Sequence, residues 1–138
     1  DGPSEALNRL SIIETLENNA RDFPGLTKQP MQARFCPKGR SRMSADGRWL
    51  EENTRWRIFK ITKPEETNEP ADTLPLLAQG LADARGCLVF SKQDRSALHN
   101  ALSSGATLMI NQPGERHLLG ATVTDKEVTL DLGQAVVY

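Results

Sequence analysis

Residues 55–62, Arg-Trp-Arg-Ile-Phe-Lys-Ile-Thr, constrain the fold more than any other stretch of this chain. Aromatic and β-branched side chains dominate them, so they are predicted to form a strand. Strand alternation puts Trp56, Ile58 and Lys60 on one face and Arg55, Arg57, Phe59 and Ile61 on the other. Neither face is uniformly apolar, because the polarity switches sides midway. Such a strand either carries a bulge or leaves a sheet edge and enters the core.

The flanking sequence predicts further elements. Ala6, Leu7, Leu10, Ile13, Leu16, Ala20 and Phe23 recur at three- and four-residue intervals, which predicts an amphipathic helix over residues 4–22, ended by Pro24-Gly25. Residues 31–36 read as a short strand, and Asp46-Gly47 is a dipeptide favoured in two-residue hairpin turns. Residues 63–72 have no hydrophobic periodicity and read as an acidic exposed loop. Leu74, Leu77 and Leu81 suggest a second helix over 73–84, with Gly86 as its C-cap. A short buried strand at 87–90 leads to a third helix at 91–103, opened by Ser91 with Asp94 in its first turn. Strands at 106–110, 118–123 and 128–137 complete a meander, with Gln112-Pro113-Gly114-Glu115 patterned for a type II turn.

The expected fold class is therefore α+β: an N-terminal amphipathic helix, a basic β-rich middle segment, and two further helices on a C-terminal antiparallel meander, with at most one βαβ-like crossover at 87–110. A chain of 138 residues, 38% hydrophobic, suits one domain over 1–138 rather than a disordered tract. It begins with Asp1 rather than Met, and so reads as a fragment of a longer protein. Its longest apolar runs are too short for a membrane span. Cys36 and Cys87 are expected to be reduced thiols, Cys36 buried and inert, in a protein of cytoplasmic type.

Charge is unevenly placed. Residues 26–63 hold 10 of the 17 Lys and Arg residues but only 3 acids, whereas residues 64–138 hold twice as many acids as bases. Both tryptophans lie in the basic segment. Lys38, Arg40, Arg42, Arg48, Arg55, Arg57 and Lys60 around Trp49 and Trp56 form the pattern expected of a nucleic-acid surface: cations for phosphates, flat rings for bases. The expected function is a non-catalytic nucleic-acid-binding module for single-stranded or structured substrates. The alternative is an interaction module meeting an acidic protein partner or a neighbouring domain. A third reading is a small nuclease- or toxin-type enzyme, with Glu51-Glu52 as acid/base device and His99 or His117 in support. Burial of the tryptophans discriminates, since exposed rings favour a ligand site and buried rings favour a core.

No catalytic or cofactor signature stands beside the charge pattern. The sequence has no Gly-x-Gly-x-x-Gly, Walker-type lysine or Gly-x-Ser-x-Gly, and its histidines and cysteines lack zinc-ligand spacing. The segment Pro37 to Arg42 offers a glycine turn beside three cations, a phosphate cradle or an ordinary solvated turn. A helix at 91–103 followed by a wing bearing Arg116 and His117 is discounted as a DNA reader, because that half of the chain is acidic.

Overall fold

A computed structural model describes residues 26–38 and 49–136. The expected helix at 4–22, the Asp46-Gly47 turn, and Arg40, Arg42 and Arg48 lie outside the described residues.

The strand expected at 55–62 is present as β2 (Arg55–Ile61), and it lies inside a sheet rather than at an edge. In chain order the strands are β1 (Arg34–Phe35), β2, β3 (Leu76–Leu81), β4 (Leu88–Val89), β5 (Thr107–Gln112), β6 (Glu115–Val123) and β7 (Val128–Ala135). Helix α1 (Lys92–Ser103) lies between β4 and β5. A five-stranded antiparallel sheet runs in the order β3-β2-β5-β6-β7, and β1 and β4 form a separate antiparallel pair.

This architecture corrects the α+β expectation: the fold is mainly β, not a three-helix arrangement. The decisive difference is the predicted second helix at 73–84. Pro75 and Gly80 interrupt that stretch, and both disfavour a helix interior. In the structure it is strand β3. Leu81, one of the residues that suggested burial, is 58% exposed, as is Leu76 at 45%, whereas Ala78 and Ala82 are buried. Gly80 lies directly under Trp56, so close that a Cβ would sit 2.9 Å from Trp56 Cζ2. No parallel crossover occurs at 87–110, because β4 and β5 belong to different sheets.

Helix α1 follows its sequence signals. Ser91 Oγ accepts from the Asp94 amide at 3.0 Å and an Asp94 carboxylate oxygen accepts from the Ser91 amide at 3.1 Å, a reciprocal capping box. Leu98, Ala101 and Leu102 form its buried face. The β5–β6 turn is also as patterned, with Gly114 at φ 80° where a type II turn needs positive φ.

The polarity switch in β2 has a structural cause. One sheet face carries Trp56, Ile58, Ala78, Leu108, Ile110 and Leu119, packed against α1 and residues 26–35 as the main core. The opposite face is divided. At one end Phe59, Ile61, Met109 and Leu118 form a smaller apolar cluster, closed over by Leu74 and Val136. At the other end Arg55 and Arg57 meet solvent. Residues 63–74 provide that lid as two short 3-10 turns, Pro64–Asn68 and Ala71–Thr73. Buried Arg116 fastens it, donating from Nη1 to the carbonyls of Thr67 at 2.7 Å and Glu69 at 2.8 Å. The β2–β3 register shifts between Ile58 and Phe59, at the boundary between the open and covered halves. The bulge lies in β3, where Leu77 is passed over, and not in the 55–62 strand where the sequence pattern placed it: β2 pairs with β5 without a break.

Cys36 and Cys87 are joined by a disulfide, contrary to the expectation of free thiols, and Cys36 is exposed rather than buried. The bond clamps β1 to the turn before β4. Asp83 reinforces the same turn: its Oδ1 accepts from the amides of Arg85 at 2.8 Å and Cys87 at 2.9 Å, and its Oδ2 lies 3.6 Å from Arg34 Nη2. The Cys87 amide, chiefly, with help from the Arg85 amide and the Arg34 and Arg85 charges, holds the Asp83 carboxyl below the usual aspartate range. A carboxyl with a lowered folded-state pKa contributes stability above its ordinary pKa and loses it as pH falls through the folded value. Asp83→Asn is therefore expected to lower the melting temperature at neutral pH. The gap to the parent should narrow at about pH 2.5, below the ordinary aspartate value. An equal deficit at both pH values in thermal denaturation would contradict a charge-based role.

Candidate binding face

Trp49 and Trp56 are each 1% exposed, so neither ring is placed to stack on a base. Trp56 packs edge-on against Phe90, with centroids 5.7 Å apart, and Trp49 edge-on against His117 at 5.6 Å. Apolar area drives this burial, and T-shaped ring geometry adds a smaller favourable term.

The cations of the basic segment do not form one described surface. Lys60 belongs by strand alternation to the opposite sheet face from Arg55 and Arg57. Lys38 lies beside the disulfide, lining a separate depression with Gln32, Phe35, Leu130 and Leu132. Arg34 is engaged with Asp83.

Arg55 and Arg57 do come together. They line an open cleft of about 340 Å³ with Asn111, Gln112, Pro113 and Gly114 of the β5–β6 hairpin. Cross-strand register builds it: Gln79, Arg57, Asn111 and Arg116 form one row across β3, β2, β5 and β6. The Arg57 guanidinium carbon lies 5.4 Å from the centroid of the Phe59 ring, a cation–π contact that fixes its direction. With its amide oriented to satisfy both neighbours, Asn111 accepts from Arg57 Nη2 at 3.2 Å and donates to the Glu115 carbonyl at 3.0 Å. Arg55 Nη2 donates to Gln79 Oε1 at 3.1 Å. Both guanidiniums are thus held by neutral partners, and neither has a carboxylate partner among the described residues. The cleft offers oriented positive charge, unpaired among the described residues, with planar donors that suit a carboxylate or phosphate.

Sequence reasoning identified Arg55 and Arg57 but missed Gln79, Asn111 and Gln112. The available signal was Asn111-Gln112, a polar pair closing an otherwise apolar strand just before a Pro-Gly turn. Both are buried in spite of their polarity. Gln79 had no signal, since it fell within the stretch read as a helix.

The other candidates have structural roles. His99 Nε2 is hydrogen-bonded to the Leu26 carbonyl, His117 lies against Trp49, and Arg116 secures the lid. Glu51 and Glu52 are exposed in the approach to β2 and have no histidine partner. Among the described residues no group of His, Cys, Asp and Glu is arranged to hold a metal, and no helix is long and apolar enough to cross a membrane. Comparison with known protein families, curated proteins and solved structures finds no match to the chain.

Proposed function

We propose that this protein is a non-catalytic interaction module that binds an acidic protein partner through the Arg55–Arg57 face, in an oxidising compartment. The observation that carries the reading is the pair of oriented guanidiniums with no carboxylate partner among the described residues, at the open end of an otherwise covered sheet face. Internal pairing would have cancelled this charge, and no carboxylate among the described residues does so. Burial of both tryptophans removes the stacking platform that a single-strand binder uses, so what remains is charge and planar hydrogen bonding. The disulfide supports the compartment, since such bonds persist where thiols are not kept reduced.

The nucleic-acid reading is tested in the same experiment. Labelled poly-glutamate and labelled single-stranded and duplex oligonucleotides are titrated with the protein at two salt concentrations. The expected result is binding of the acidic polypeptide, weakened about tenfold or more by Arg55→Ser combined with Arg57→Ser, a loss typical of charged anchors. Oligonucleotide binding with a log–log salt slope of roughly 0.7–0.9 per phosphate, and none to poly-glutamate, would overturn it in favour of nucleic acid.

A further inference from the structure

The two edges of the five-stranded sheet are treated differently. At β7 the segment before β1 covers the start of the edge: the Gln32 amide donates to the Val128 carbonyl at 2.9 Å, and the Val128 amide donates to the Pro30 carbonyl at 2.7 Å. The Gln32 side chain also accepts from the Leu130 amide. At β3 nothing among the described residues does the same. Ala82 donates inward to the Thr54 carbonyl at 2.9 Å, and the Pro75 carbonyl accepts inward from Lys60 at 3.0 Å. Antiparallel alternation from Ala82 then turns the backbone groups of Gln79 and Leu81 away from β2.

Among the described residues, this edge from Ala78 to Leu81 carries none of the devices that usually blunt one. Open edges are normally protected by charge, proline, bulges or a covering segment. β3 carries no charged residue, its bulge lies toward its start, and it displays Leu76 and Leu81. These leucines flank the binding face in register, with Leu81 opposite Arg55, Gln79 opposite Arg57 and Leu76 opposite Phe59. Arg55 already reaches over to Gln79, which brings a guanidinium to the rim of the edge strand.

We infer that the acidic partner docks by strand addition: an extended segment of it pairs with the free edge of β3 as a sixth strand. The inference rests on the acidic-partner reading above and specifies its form. Main-chain hydrogen bonds to Gln79 and Leu81 supply affinity, and alternate side chains supply specificity. Side chains two residues apart share a face, so the segment reads apolar, acidic, apolar at every second position. Its carboxylate meets Arg55 beside Gln79, and its apolar side chains cover Leu81 and Leu76. Charge complementarity selects this occupant over a second copy of β3, which would bring uncharged strand to uncharged strand and leave Arg55 unpaired.

The test uses a labelled synthetic peptide of about ten residues, long enough for one strand, with valine, glutamate and valine at alternate positions and threonine between. The whole chain is titrated by fluorescence anisotropy, and backbone amide exchange is followed with and without peptide. Expected are slowed exchange at Gln79 and Leu81, and a weakening of about tenfold, or roughly 1.4 kcal/mol, when the peptide glutamate becomes glutamine. Gln79→Pro should abolish binding while keeping the fold, because an edge strand tolerates proline where its N–H faces solvent. Leu81→Pro, which removes the second outward-facing N–H and leaves the Gln79 side chain on Arg55 untouched, gives the same loss.

Peptide binding that survives both substitutions, with unchanged exchange at Gln79 and Leu81, would overturn strand addition and leave the acidic-partner reading standing. Failure of both this peptide and poly-glutamate to bind would overturn the two together. A dimer seen by sedimentation, dissociated by Gln79→Pro, would make a second copy the occupant and overturn the inference.

Discussion

Trp56→Ala is expected to destabilise the protein by about 3–5 kcal/mol, the usual cost of truncating a fully buried aromatic ring. Trp56 is 1% exposed, packs edge-on against Phe90, and rests on the one position in β3 that has no side chain to displace it. Truncation opens a cavity between Gly80 and Phe90 that neither can fill, since glycine has no side chain and Phe90 is buried by its own packing. Against a typical domain stability of about 5–15 kcal/mol, such a loss brings the chain close to unfolding at ordinary temperature. Urea denaturation of parent and variant measures it. A variant as stable as the parent that has lost ligand binding would return Trp56 to the stacking role its position in the basic segment first suggested.

Removing the disulfide should have a comparable effect. Cys36 and Cys87 are 51 residues apart in sequence, and closing a loop of that size removes enough freedom from the unfolded chain to stabilise the fold by about 4 kcal/mol on the chain-entropy model. The bond also lies at the end of the short ladder, two residue pairs long, that joins β1 to β4. Cys36→Ser with Cys87→Ser is therefore expected to lower the melting temperature markedly under oxidising conditions. Dithiothreitol should reproduce the change in the parent, since exposed Cys36 gives the reductant access. A difference below about 1 kcal/mol would mean that the clamp is redundant with the core. An oxidising compartment would then lose its physical rationale.

How far the sequence revealed these features depended on how many local signals agreed. Helix α1 was legible because Ser91, Asp94, a buried stripe and a glycine stop all indicate one element. The β5–β6–β7 meander was legible for a similar reason, with Pro113-Gly114 fixing the first turn. Strand β3 was not. Leu74, Leu77 and Leu81 fit a helical stripe, but the bulge near Leu76 breaks the strand's own period of two, hiding the alternation that would have identified it. Pro75 and Gly80 were the local evidence against a helix. The second of these is explained only by Trp56, which is distant in sequence and arrives through sheet pairing.

The site was legible in part for the same reason. Arg55 and Arg57 stand out as alternate charges on a strand, whereas Gln79 and Asn111 gain meaning only from the register that aligns them. Tryptophan beside arginine in sequence looked like one surface. Alternation along β2 sends Trp56 to the core and Arg55 and Arg57 to solvent, so residues adjacent in the chain belong to opposite sides of the sheet. The disulfide could not be foreseen, because two cysteines in a chain of unstated compartment leave both redox states open.

The most direct test of the account is to map the bound surface. Isotope-labelled protein is titrated with the acidic peptide, and backbone and arginine side-chain resonances are followed. The account predicts the largest shifts at Arg55, Arg57, Gln79, Leu81 and Asn111, with the indole resonances of Trp49 and Trp56 unmoved. Shifts concentrated instead at Lys92, Arg95 and His99, which line a separate pocket between α1 and residues 29–31, or a response to oligonucleotide that moves both indoles, would contradict it.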